Sequence, residues 1–145
     1  MKRKEQALLY GFNDEERIHL VRRTLDKLGI AAHVLEPSAH HQKVGYLIGS
    51  KGFRLTPEDP DEEDFVFPHE VLLLDKVKGK RLDEVLAKLA AAVQPPIRYK
   101  TVVTPFNTFW TLRRLCETMQ KEHAYLAERD AAKEQRKKKN AEKEA

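Results

Sequence analysis

With 145 residues, 34% of them charged, and a formal net charge of +4, the chain has room for one ordinary core and not for two. A single cysteine excludes an intramolecular disulfide, and no run approaches the ~20 apolar residues that a bilayer-spanning helix needs. Much of the basic excess lies in Lys2, Arg3 and Lys4 and in Arg136, Lys137, Lys138 and Lys139, while Glu58, Asp59, Asp61, Glu62, Glu63 and Asp64 form an acidic block. That distribution fits solubilising ends better than one polyanion-binding face.

Residues 7–12, ALLYGF, are a short apolar run that reads as a strand. The basic start before them has no cleavage-site pattern, so a reducing cytoplasm is the expected compartment. Asn13 and Glu16 have capping-box spacing. Ile18, Val21, Leu25 and Leu28 then recur at helical intervals, and Gly29 suits the C′ position. Residues 30–35 read as a second strand, stopped by Pro37. Val44, Leu47 and Ile48 share a helical face and predict a short helix over 41–48. Residues 54–68 combine the acidic block with Pro57, Pro60 and Pro68, which predicts a solvated loop whose end is pinned to the core by Phe65 and Phe67.

A dense succession of elements follows. VLLLDKV, 71–77, is a strand whose first four residues lack polar alternation, as in a strand of a parallel sheet covered on both faces. Gly79 breaks it, and Leu82, Val85, Leu86, Leu89 and Val93 form the stripe of a helix that Pro95-Pro96 closes. Residues 99–103 are the next strand, ended by Pro105, after which Asn107 or Thr108 can cap a helix. That helix carries Leu112, Leu115, Cys116, Met119 and Leu126 on one side. Past 127 the apolar stripe fails, so 128–145 is expected as a charged, frayed or disordered tail on a single domain of 1–127.

Strands alternating with helices define an α/β fold, here a small four-stranded, mostly parallel sheet with a long C-terminal helix. A ferredoxin-like α+β sandwich, with 30–35 turned back against 71–74, is the alternative. In parallel sheets, ligands sit beyond the carboxyl ends of the strands. That rule selects Asn13, Asp75, Thr104 and Asn107 as candidate ligand-binding residues. A strand-end Asp75 with Asp14, Glu15 and Glu16 after the first strand is similar to the receiver domains of response regulators, but no later strand ends in the lysine those domains use. The six histidines lack metal-ligand spacing, Gly45, Gly49 and Gly52 make no phosphate loop, and Cys116 on an apolar stripe reads as structural.

LLYGF, VGYLIGSKGF, VLLLDKV and above all KTVVTPFNTFWTLRRLCETMQKEH resemble the bacterial family called domain of unknown function 3783. The likeness is strongest over 70–126, and the turn Thr104-Pro105-x-Asn107-x-x-Trp110 is its most specific part. It implies a bacterial cytosolic protein and brings no activity, catalytic residue or cofactor with it. The residues themselves point to a small non-catalytic binding or regulatory module whose partner is a protein or a small anionic ligand. The alternatives are a small enzyme or anion-binding protein using the strand edge, and a nucleic-acid or ribosome-associated role through the basic ends, which is not favoured.

Overall fold

The computed structural model describes residues 5–144. Strand β1 (Gln6–Tyr10) leads into helix α1 (Glu15–Lys27) and strand β2 (Ala31–Val34). A 3-10 turn (Pro37–His41) and the one-turn helix α2 (Val44–Leu47) precede the acidic loop. Strand β3 (Val71–Asp75), helix α3 (Gly79–Ala92), strand β4 (Tyr99–Val102), a second 3-10 turn (Asn107–Phe109) and helix α4 (Leu112–Glu144) complete the order. The predicted 41–48 helix is thus split in two by Gln42 and Lys43.

Four strands form one sheet in the order β2-β1-β3-β4. The pairs β1·β2 and β3·β4 are parallel, and the latter sets Leu73 beside Thr101 and Leu74 beside Val102. The central pair β1·β3 is antiparallel, with Leu8 opposite Leu73. The sheet is therefore mostly parallel, as expected, but its middle seam is not. The ferredoxin-like alternative fails because β2 pairs with β1 at the sheet edge rather than with β3.

A central antiparallel pair flanked by two parallel crossovers gives the molecule a local twofold axis through Leu8 and Leu73. Rotation about it carries β1-α1-β2 onto β3-α3-β4 and keeps α1 and α3 on the same face, where they pack against each other. The correspondence reaches the backbone: Gly11, three residues past Leu8, has φ +76°, and Lys76, three past Leu73, has φ +68°. Each strand leaves the sheet through the same left-handed kink.

Alternation along the central strands divides the interior in two. Ala7, Leu9, Leu72 and Leu74 face α1 and α3, meeting Val21, Leu25, Val85 and Leu89. Leu8, Tyr10, Val71 and Leu73 face the other way, towards α2 and α4, with Val44, Leu112, Leu115, Cys116 and Met119. All five residues of β3 are buried, and each leucine among them contributes roughly 1.5–3 kcal/mol of transfer free energy. The unbroken apolar run thus reports burial on both faces and not the direction of the neighbouring strand.

Local chemistry fixes the ends of the helices. Asp14 caps α1, its Oδ1 accepting from the backbone N–H of Glu16 at 2.9 Å and of Arg17 at 3.4 Å. Asn13, expected in that role, lies one residue earlier and is exposed. Gly79 opens α3 rather than ending β3. Thr111, not Asn107 or Thr108, caps α4, its Oγ1 accepting from Arg114 N–H at 3.1 Å. Leu126 is 52% exposed, so the docking stripe of α4 stops at Met119. Where a frayed tail is expected, α4 continues as helix to Glu144, with residues 132–141 exposed.

The acidic loop is tethered at both ends. Buried Gln42 holds Thr56 in the manner of a strand partner, its Oε1 accepting from Thr56 N–H at 2.8 Å and its Nε2 donating to Thr56 C=O at 3.0 Å. Arg113 on α4 donates to Glu63 C=O, pairs with Glu62 at 3.7 Å and lies over the Phe65 ring. Phe65 and Phe67 stack and pack into the α4-side core, as their spacing predicts.

Candidate functional site

The antiparallel seam decides which candidate residues can meet. Because β1 and β3 run in opposite directions, the carboxyl end of β1 lies beside Val71, and the carboxyl end of β3 lies beside Gln6. Asn13 therefore stands at one end of the sheet, while Asp75, Thr104 and Asn107 stand at the other. The same separation removes the receiver-like arrangement, since Asp14, Glu15 and Glu16 are at the far end from Asp75.

At the β3·β4 end, Asp75, Lys76, Lys78, Thr104, Thr108 and Ser50 line a cleft of about 170 Å³, with Ile48, Val103 and Pro105 as its apolar walls. Asp75 is 4% exposed, and its Oδ2 accepts from Gln6 Nε2 at 2.9 Å. The same Gln6 amide donates to Ile48 C=O at 2.8 Å. Asp75 is thereby part of a tie between β1, β3 and α2, and it presents one buried wall to the cleft.

Asn107 is explained by the turn that carries it. It is 6% exposed; its Oδ1 accepts from Thr104 N–H at 2.8 Å, its Nδ2 donates to Val102 C=O at 3.0 Å, and its own N–H donates to Thr104 Oγ1 at 3.1 Å. This reciprocal clasp closes the chain immediately after β4. Thr104 is the other half of the clasp. Two of the turn's aromatics face solvent, Phe106 being 81% and Phe109 67% exposed. Trp110 is half-buried beneath the Arg114 guanidinium, 4.5 Å from its ring centre.

Missed by sequence reasoning are Lys76, Lys78 and Ser50. Lys76 and Lys78 lie just after β3, and the acidic loop takes its cationic partner from α4, at Arg113. Lys76 is the one non-glycine residue with positive φ among the described residues, a conformation that costs a side-chain-bearing residue about 1–2 kcal/mol. The two crossover helices also begin differently. Asp14, Glu15 and Glu16 serve the start of α1, whereas α3 starts at Lys78-Gly79-Lys80 with no side-chain cap and no acidic residue in its first turn. An uncapped helix start flanked by ammonium groups favours an anion.

A second polar cleft, about 310 Å³, lies between His40, His41 and the acidic loop. Among the described residues, no group of three or more His, Cys, Asp or Glu is placed to hold a metal ion. Burial against the Phe65 ring lowers the His40 pKa below the ordinary histidine value; Glu62 opposes the shift, and His41 and Arg113 add to it. Its Nδ1 is buried and has no hydrogen-bond partner among the described residues. The unfolded chain therefore takes up this proton at higher pH than the folded one, so stability falls as pH drops below about 6.5. Thermal midpoints between about pH 7.5 and pH 5.5 should decline more steeply for the native chain than for His40→Phe. Equal slopes would remove His40 as the cause.

Cys116 is fully buried in the α4-side core, and burial, aided by Glu117, pushes its thiol up to about 12. It is a packing residue, as its position on the apolar stripe predicts.

Residues 70–126, from the entry to β3 as far as α4, match the family described as Domain of unknown function (DUF3783). The matched segment contains every residue lining the strand-end cleft except Ile48 and Ser50. No curated protein and no solved structure matches the chain. No helix among the described residues is long and apolar enough to cross a membrane.

Proposed function

We propose that the protein is a non-catalytic binding or regulatory module that takes a small anionic ligand at the β3·β4 end of the sheet. The observation that carries this reading is the start of α3: an uncapped helix N-terminus, with Lys76 and Lys78 on the rim of a cleft that also offers the hydroxyls of Ser50, Thr104 and Thr108. The ammonium groups supply attraction and the hydroxyls supply hydrogen bonds to an oxyanion. Buried Asp75 disfavours an anion that enters deeply, so the ligand is held at the rim or carries a donor of its own for the carboxylate. Asp75 and Asn107 have structural duties, Asp75 with Gln6 and Asn107 within its turn, which supports recognition rather than reaction.

Thermal-shift titration with inorganic phosphate and with small mono- and dicarboxylates tests the reading. The native chain should be stabilised as RT ln(1 + [L]/Kd) requires, and the doubly substituted Lys76→Gly, Lys78→Ala chain should show no such shift. Absence of stabilisation by every anion, or an equal shift in the double variant, would refute it. Asn107→Ala is unsuitable for this purpose, because it removes the turn as well as any ligand contact.

A further inference from the structure

The sheet has two edges, and they are defended unequally. In β4, Val103 N–H donates to Leu74 C=O and Tyr99 N–H to Glu70 C=O, so the alternate residues, Lys100 and Val102, turn their backbone groups outward. That edge carries an outward-turned lysine, with Pro95-Pro96 before the strand and Pro105 after it, devices that blunt strand addition. In β2, Leu35 N–H donates to Leu9 C=O, so residues 31 and 33 also face β1, and Ala32 and Val34 present their N–H and C=O groups to the free edge. The strand, AAHV, has neither lysine nor proline, and Val34 is 42% exposed. Beside it runs an open groove of about 600 Å³ between α1 and β2, floored by Ile30 and Ala32 and walled by Glu15, Arg22, Arg23 and Asp26.

We propose that this edge binds the β2 edge of a second copy, antiparallel and centred on His33, so that two four-stranded sheets join into one of eight strands. The register follows from which groups face outward. Ala32 and Val34 of one copy exchange both backbone hydrogen bonds with Val34 and Ala32 of the other, and the two His33 residues oppose each other as the non-hydrogen-bonded pair. The twofold axis also explains the charges on the groove. In this arrangement α1 lies antiparallel to its counterpart, which brings Glu15 at the start of one helix towards Arg22 and Arg23 in the second half of the other. Glu15 and the Arg22-Arg23 pair are displaced along the groove, so a twofold operation sets each against the other, while Asp26 lies beside the arginines. The same geometry already exists within the chain, where β1·β3 joins two crossover units about a twofold axis and brings α1 against α3.

Sedimentation equilibrium of the full chain, over a dilution series from micromolar to near-millimolar, should reveal a monomer–dimer equilibrium. Val34→Pro removes one outward N–H per copy without touching a bond to β1, and should weaken the dimer by about tenfold or more while circular dichroism stays unchanged. Arg22→Glu with Arg23→Glu should weaken it in the same way, and adding Glu15→Arg should recover much of the loss. A monomer throughout the series overturns the proposal. So does a dimer that survives Val34→Pro but disappears when residues 128–145 are removed, since the contact would then lie along α4. If instead a peptide of another protein occupies this edge, the isolated chain stays monomeric, which likewise overturns it.

Discussion

Gly11→Ala is expected to destabilise the fold by at least about 3 kcal/mol, lowering the thermal midpoint by roughly 10 °C for a chain of this length. Two independent effects add. The left-handed φ of +76° costs any residue with a Cβ about 1–2 kcal/mol. The Cβ itself would stand 2.3 Å from the backbone oxygen of His69, and a backbone atom at the entry to a fully buried strand has nowhere to retreat. At the twofold-related position the expected sign is reversed: Lys76→Gly relieves the same strain and should stabilise by about 1 kcal/mol. Urea unfolding of the two variants measures both. Were Lys76→Gly to destabilise instead, the lysine side chain would be making contacts worth more than the strain, and its part as a free rim cation would be lost.

Asn107→Ala should cost about 2–3 kcal/mol, because it deletes a buried acceptor for Thr104 N–H and a buried donor for Val102 C=O and leaves both partners short of a bond. Asn107→Asp separates the two contributions. It keeps the acceptor but sets a carboxylate against the Val102 carbonyl, so it should be at least as damaging as alanine near neutral pH. Chemical denaturation with linear extrapolation gives the comparison. If aspartate proves harmless, the Nδ2 bond to Val102 contributes nothing, and Asn107 becomes available for a ligand after all.

Element identity was legible in this sequence and chain direction was not. The stripe Leu82, Val85, Leu86, Leu89 marks α3, and Tyr99 to Val102 marks β4, because periodicity is written in the side chains themselves. The direction of β3 relative to β1 depends on the path taken by 36–70, and Val71 to Leu74 are equally apolar beside either kind of partner. From that one unreadable fact came the misplacement of Asn13 with Asp75. Asn107 stands out within its turn, yet the sequence pattern could not say that its polarity is spent inward on Thr104 and Val102. Lys76 carried no signal of its own, since a lysine after a strand is ordinary, and only the backbone angle makes it unusual. Glycine at the matching position, Gly11, was the available hint, but the match exists only through the twofold axis.

The antiparallel seam has a kinetic consequence. Each half of the sheet is a pair of parallel strands, and neither half alone covers its own central strand. The bond pattern that completes both, Leu8 against Leu73, joins segments separated by an entire crossover unit and the acidic loop. Closure of that long loop must come before most of the burial that rewards it, so the crossing of the folding barrier should be governed by a non-local encounter and be slow for a domain with this much helix. The tether from Gln42 to Thr56 then acts as a staple that shortens the effective path between the two strands once the first contacts form.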